Sequence, residues 1–487
     1  MMYNTSAMDH ILVIDQSTSG TKVFLFDSQG KISSRADRAH EQIISPNGWV
    51  SHDPEEIYRN TLGAVKETVA KAGIDPLTIR GAGICNQRET ALVWDRENGK
   101  PLNNAVVWQC ARSAAICEGL RSDETEIRLR TGLRLSPYFS AGKIAWILRN
   151  SGCLDRKRLC AGTIDSWLIF KLTGRFQTDY SNASRTQLFN IRGLAWDEYV
   201  CGLFGIDRGM LPEVCDSNGD YGVTDFEGIL PRVIPVRAVM GDSHASLFGH
   251  GCLGEGMGKV TYGTGSSVMI NTGAEIRSGD SMVTSLAWGM DGKVSYVLEG
   301  NINYSCAIIK WLVEDLKLIA SPGEVGEIAA MANPLDSCYL VPAFTGLGAP
   351  YWNNAAKAGL WGMTRTTGRA EIVKAAEESI AYQIADVLEA ARKESSIVLK
   401  ELRADGAGAK DSFLMQFQSD ILNIPVAVSR ERELSAAGTA YMAGMALGLY
   451  DSSMLVKLEH SDYIPNMKEE ERNRLRQGWK DAVARVL

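Results

Sequence analysis

The sequence predicts an α/β protein made of two domains of related architecture. Three observations carry the prediction. A chain of 487 residues is too long for one ordinary core, since domains usually hold about 50 to 250 residues. A strand, a small polar turn and a second strand open the chain near residue 11 and occur again near residue 259, about half the chain later. Strand-like runs alternate with helical segments as far as about Gly249, the grammar of an α/β fold. The domains expected are 1–249 and 250–487, with Gly249 to Gly256 as the linker.

The elements follow in order. Ile11 to Ile14 form an apolar run, Asp15 to Thr21 a turn-rich stretch, and Val23 to Phe26 a second run, which together read as a β-hairpin with an enlarged polar tip. Residues 54–73 read as an amphipathic helix with Asp53 as N-cap and Pro54 at the first helical position. A short strand, Ile79 to Ile84, delivers Asn86-Gln87-Arg88-Glu89-Thr90 at its C-terminal end. Lys259 to Tyr262, the turn Gly263 to Ser267, and Val268 to Asn271 repeat the opening hairpin. Leu402-Arg403 precede Ala404-Asp405-Gly406-Ala407-Gly408 and a helix over 412–421, and 466–487 read as a charged terminal helix.

Composition excludes several classes. A net charge of -7 offers no basic face, so no nucleic-acid partner is expected. No apolar run approaches the roughly 20 residues that span a bilayer, and Met1 to His10 is polar, without the apolar stretch of a signal peptide, so no membrane insertion is expected. Ten cysteines are scattered without a C-x-x-C pair and read as buried, reduced thiols of a cytoplasmic protein. Six histidines without H-E-x-x-H spacing argue against a zinc enzyme.

Three turns have the chemistry to hold phosphate. In both hairpin tips, small hydroxyl residues and glycine let backbone N–H groups approach an anion; either alone reads first as an ordinary polar turn, and the two together carry more weight. The stretch Ala404 to Gly408, ahead of a helix, suits backbone approach to a nucleotide or is a plain connection. No Walker A motif occurs. Asp242, after an apolar strand and before a small-residue helix, reads either as a helix cap or as a general base for a substrate hydroxyl. Arg88 and Glu89 at a strand end are either a solvated loop or a donor and acceptor for vicinal hydroxyls. Trp108 is either core or a face for polyol C–H groups.

At these residues the chain resembles the FGGY carbohydrate kinases, in particular their glycerol kinase branch, from Ile11 to Leu487. The resemblance lies in Asn86 to Thr90, Trp108 to Cys110, Asp179 to Thr186, Phe344 to Trp352 and Phe413 to Asp420, with general family signatures over Tyr138 to Asn150 and Gly359 to Gln383. It implies two actin-like (ribonuclease-H-like, ASKHA) ATPase domains with a central cleft, and ATP-dependent, Mg2+-assisted phosphorylation of a small polyol or sugar. The N-terminal domain would bring substrate residues and the first phosphate hairpin, the C-terminal domain the nucleotide. Asp242 would be the catalytic base, and Asp15 with Asp242 would hold the metal. Arg88, Glu89, Trp108, Tyr138 and Asp242 would line the polyol site. Thr18, Ser19, Lys22, Thr264, Gly265, Gly406, Ala407 and Asp411 would contact the nucleotide. A homo-oligomer, a dimer, is the assembly expected.

The chain also departs from the branch. Ser243 stands for a substrate-contacting glutamine and Ser267 for a phenylalanine packed on glycerol. Both changes imply a wider, more polar substrate site, and keep a tetritol, xylulose or ribulose kinase open as the alternative to a glycerol kinase. Lys22 replaces an arginine, Ala407 and Cys306 replace glycines, and Asp411 replaces an asparagine on the nucleotide side. The loop where some bacterial relatives sense fructose 1,6-bisphosphate would fall near Phe226 to Arg232; it reads FEGILPR, and such inhibition is not expected.

Overall fold

The computed structural model describes residues 8–152, 155–456 and 458–487. Most of the polar opening, Met1 to Ala7, and Cys153 lie outside the described residues. The chain forms two compact units. One comprises Met1–Gly251, Ser285–Tyr296 and Glu433–Lys457; the other comprises Cys252–Thr284, Val297–Arg432 and Leu458–Leu487. The first unit therefore takes back two later segments that a single boundary near Gly249 does not separate.

In the first unit, β1 (His10–Gln16), β2 (Gly20–Phe26) and β3 (Ile32–Ala39) form an antiparallel meander. β1 also pairs in parallel with β4 (Ile79–Asn86), and β4 with β5 (Ile234–Gly241). The order across the sheet is thus β3-β2-β1-β4-β5, with Val223–Thr224 at the far edge. All of β1 is buried, which is why it reads as an unbroken apolar run rather than an alternating one. Helix α1 (Pro54–Ala72) covers β2 and β3, with Asp53 accepting from the Glu55 N–H and Gly73 ending it in the left-handed region, φ 63°. A second sheet of five short strands carries Ala91–Asp95 and Leu159–Thr163.

Helix α2 (Asp242–Gly249) starts where β5 stops, and it packs on the helix Leu434–Ala446. The two helices meet backbone to backbone. A Cβ on Gly249 would lie 2.4 Å from the Leu434 carbonyl, and one on Gly438 would lie 2.0 Å from that of Ala245. That contact holds Asp242 at the end of the sheet: Ser435 Oγ donates to the Asp242 carbonyl.

The second unit repeats the plan. β6 (Gly258–Tyr262) pairs antiparallel with β7 (Ser266–Gly273). With β8 (Val283–Met290) and β9 (Lys293–Ile302), whose residues Ser285–Tyr296 are grouped with the first unit, and with β10 (Leu402–Gly406), β11 (Val426–Ser429) and β12 (His460–Tyr463), they make a seven-stranded sheet in the order β8-β9-β7-β6-β10-β11-β12. β6 is parallel to β10, and β10 to β11. The central order β9-β7-β6-β10-β11 matches that of the first sheet, so both units have the ribonuclease-H-like arrangement. Helices α3 (Ala307–Glu314), α4 (Arg369–Ser395), α5 (Ser412–Leu422) and α6 (Glu469–Ala484) complete it. α4 is long and largely buried, and its Tyr382 stacks on Trp479 of α6 at 5.1 Å. Each fully buried large apolar side chain here contributes about 1.5–3 kcal/mol.

Among the described residues no helix is long and apolar enough to cross a membrane, and nine cysteines are free thiols.

Candidate active site

The C-terminal ends of β1, β4 and β5 bring the charged candidates of the first unit together. Asp15 is the next-to-last residue of β1 and is buried. Burial pushes its carboxyl up to about 6; the Lys22 ammonium opposes that rise, and the Asp242 and Glu433 charges add to it. Asp242 is the first residue of α2 and does not act as its cap: the N-cap is Gly241, and Asp242 Oδ1 accepts only from its neighbour's Ser243 N–H (2.6 Å) and hydroxyl (3.3 Å) in that helix. Its side chain remains about a third exposed, with Arg88 Nε 3.4 Å from Oδ1. A carboxylate so placed can accept a proton from a bound hydroxyl.

Arg88 and Glu89 turn the chain after β4, and neither is solvated, since both are nearly fully buried. Glu89 adopts φ 62°, and its carboxylate accepts from Arg185 Nε at 2.6 Å. The Arg185 guanidinium in turn lies 5.9 Å from the Tyr138 ring centre and 5.1 Å from that of Phe139. Trp108 meets Tyr138 edge to face at 5.5 Å and donates its indole N–H to Thr18 Oγ1 at 2.9 Å. Lys143, fully buried, donates to the Pro137 and Tyr138 carbonyls and fixes the loop that carries Tyr138. Arg88, Glu89, Trp108, Tyr138 and Asp242 thus share one neighbourhood, half-lined by aromatic rings and half by charge.

Behind them, Asp179 accepts from Ser181 N, Asn182 N and Ser217 Oγ. Asn182 and Asn86 exchange amide hydrogen bonds at 3.0 and 3.1 Å, and Ser181 Oγ accepts from the Gly241 N–H. This cluster ties the ends of β4 and β5 to each other. It explains why the stretch Asp179 to Arg185 matters, although none of it except Arg185 approaches the candidates directly.

In the first hairpin Thr18 is half-buried and Ser19 exposed, while Lys22 is held by Glu433 at 3.0 Å. Glu433, which also binds Arg35, was not legible as a neighbour, because it lies over four hundred residues along the chain. Asp15 and Asp242 form a two-carboxylate set, and among the described residues no cluster of three or more metal-ligating side chains exists. Such a set suits Mg2+, which keeps waters and takes one or two carboxylates beside substrate phosphates.

In the second unit a cavity of about 470 Å³ is lined by Gly263 and Thr264 from the hairpin, Ala407 and Gly408 after β10, and Asp411. Apolar side chains such as Ile309 of α3, Ile380 of α4 and Leu414 of α5 share the wall with Lys310, Glu314 and Glu377. Gly406 sits at φ 94° with its Cα against the Tyr262 carbonyl, where a Cβ would come within 2.4 Å. Gly265 likewise leaves no room, since a Cβ there would lie 2.5 Å from the Ile302 carbonyl. Asp411 caps α5 by accepting from Phe413 N at 2.8 Å. Ser267 lies on β7 in this unit, and its buried hydroxyl has no partner among the described residues, whereas Ser243 belongs to the first unit.

Models of the FGGY family of carbohydrate kinases match the chain twice, the N-terminal domain over residues 10–249 and the C-terminal domain over 258–447. The chain belongs to that family. It is an ATP-dependent kinase that works with Mg2+ on an alcohol group of a polyol or sugar. It is 47% identical to glycerol kinase 1 of Thermotoga maritima, over 98% of this chain and 99% of that one. It is 44% identical to the glycerol kinase of Alkaliphilus oremlandii, over 98% and 97%. Among solved structures it is similar to Plasmodium falciparum glycerol kinase with ADP, at 34% identity and a TM-score of 0.93, covering 99% of this chain and 98% of that one. A xylulose kinase of Lactobacillus acidophilus superposes with a TM-score of 0.88 at 20% identity, over 98% and 97%, which speaks for the shared fold alone.

Proposed function

We propose that this kinase phosphorylates glycerol, with Asp242 as the base that takes the hydroxyl proton. The observation that carries the reading is the arrangement around Asp242. Arg88 approaches its carboxylate, Glu89 is fixed by Arg185, and Trp108 with Tyr138 offers an aromatic wall. A short polyol needs those groups: charged partners for vicinal hydroxyls and a flat apolar face for its carbons. The glycerol kinases at 43–47% identity support glycerol over a longer polyol or ketose.

The nucleotide reading rests on the cavity of the second unit and on the ADP named for the Plasmodium relative. Thr264, Ala407 and Asp411 line that cavity, and Gly265 and Gly406 shape its backbone. Thr18, Ser19 and Lys22 would serve the phosphates from the first unit. Asp15 and Asp242 would hold Mg2+, which when bound neutralises charge on the phosphoryl oxygens. The division of labour proposed is that residues 1–249 bring the acceptor site and the first phosphate hairpin, and 250–487 the nucleotide. Ser243 and Ser267 are the residues to change if the acceptor is longer than glycerol. Free thiols suit a cytoplasmic enzyme, and a dimer is the proposed assembly, which sedimentation would test.

The deciding experiment is a kinetic panel with ATP and three- to five-carbon polyols and ketoses. Glycerol should give the highest kcat/KM. A tetritol or pentulose preferred over glycerol would overturn the assignment.

A further inference from the structure

We propose that Glu377 and Asp411 form one carboxyl pair that recognises the amino-bearing edge of adenine, with Asp411 as the contact and Glu377 as the positioning residue behind it. The proposal rests on the nucleotide reading of the cavity in the second unit. Glu377 comes from α4 and Asp411 from the start of α5, and both line that cavity. Asp411 is partly exposed there, while Glu377 is 1% exposed. Both Glu377 carboxyl oxygens are sealed from solvent and make no well-formed hydrogen bond to a described residue. An acid so buried in a wall it shares with Ile309, Ile380 and Leu414 is costly to the fold, and core packing alone would be served better by an apolar side chain.

Two facing carboxyls in such surroundings cannot both ionise. Burial pushes Glu377 up to about 10, with the Asp411 charge and then Glu378 adding to the rise. The nearby lysines pair elsewhere: Lys310, on the same cavity, leans toward Glu314 at 3.5 Å, and Lys374 toward Glu378 at 3.6 Å. The nearby Cys306 thiol is itself held neutral, pushed up to about 11 by burial. Glu377 therefore keeps the proton and would donate its O–H to Asp411, the carboxyl whose charge acts on it. Asp411 Oδ1 is engaged by the α5 N-terminus. An anionic acceptor remains at the cavity wall, fixed from two sides. Adenine presents an amino donor to such an acceptor. Hypoxanthine presents a carbonyl oxygen at the same place, which the carboxylate repels. A site built to bond a donor discriminates strongly against an analogue that lacks it.

Calorimetric titration of ADP and IDP into the full chain tests this. The wild type should bind ADP about 10- to 100-fold more tightly than IDP, the range for losing a hydrogen bond to a charged group. Glu377→Gln keeps an N–H for Asp411 and should keep that ratio. Glu377→Leu removes the positioning contact and should bring the ratio to within about threefold, with melting temperature reporting that it folds. Asp411→Ala should lose the ratio as well. A wild type that binds IDP as tightly as ADP overturns the proposal, as does an unchanged ratio in folded Glu377→Leu or in Asp411→Ala. If neither nucleotide binds the wild type, the cavity is not the nucleotide site, and the parent reading fails instead.

Discussion

Arg88 crosses directly over Gly241: a Cβ there would meet Arg88 Cγ and Cδ at 2.7 Å, and the guanidinium beyond them reaches Asp242. These are the near atoms of a buried side chain, not its flexible end, so Arg88 has no easy way to yield. The glycine before the aspartate is thus a condition for pairing the arginine with it.

Gly241→Ala should displace Arg88 and weaken acceptor binding. Losing a charge-assisted hydrogen bond costs about 1.5–3 kcal/mol, or about 10- to 100-fold in kcat/KM. Steady-state kinetics with glycerol should show most of it as a raised KM. Unchanged kinetics would mean that Arg88 does not hold substrate.

Asp242→Asn should preserve the fold, because the side chain neither caps α2 nor supports the core. Turnover should fall about 10²- to 10⁴-fold, the typical contribution of a general base. ADP affinity, measured separately, should barely change. Near-wild-type turnover would remove Asp242 from the role of base.

The Trp108 indole is anchored to the first hairpin through Thr18. Thr18→Val keeps the shape but removes the acceptor, leaving an indole N–H short of a partner at a cost of about 1–3 kcal/mol. The indole proton resonance of Trp108 should shift and exchange faster, and glycerol affinity should fall with it. A resonance identical to wild type would show that the hydrogen bond is not formed in solution.

Much of the plan was legible in the sequence because it is local. Asp53-Pro54 marks the start of α1, the uninterrupted Ile11 to Ile14 marks a strand covered on both sides, and the two hairpins advertise two similar sheets. The units divide between Gly251 and Cys252, inside the stretch read as the linker, while Gly249 is the last residue of α2, packed against Leu434, where its smallness serves a helix contact. Spacing could not show that Glu433 would hold Lys22, that Arg185 would hold Glu89, or that a glutamate inside α4 would face Asp411. These pairs join residues 34 to 411 positions apart, and only the folded sheet brings them together.

Glu377 gives the chain a pH signature. Its folded-state pKa, about 10, lies above the ordinary value of 4.5, so between those values the native state binds a proton that the unfolded chain releases. Stability from this group is therefore greatest below about pH 4.5 and declines as pH rises toward 10. The groups acting on it are Asp411 from α5, Glu378 on α4 and Cys306 ahead of α3, none of them cationic, while Lys310 on the same cavity pairs with Glu314, so the sign stands. Glu377→Gln is isosteric and does not titrate. Its melting temperature relative to wild type should accordingly rise from pH 5 to pH 8, by a few degrees if about 1 kcal/mol of the penalty survives relaxation, given about 2–4 °C per kcal/mol for domains of this size. Paired thermal scans at the two pH values without nucleotide measure the difference directly. A constant or shrinking gap would show that Glu377 is ionised in the folded protein, with a cation or water supplying the partner.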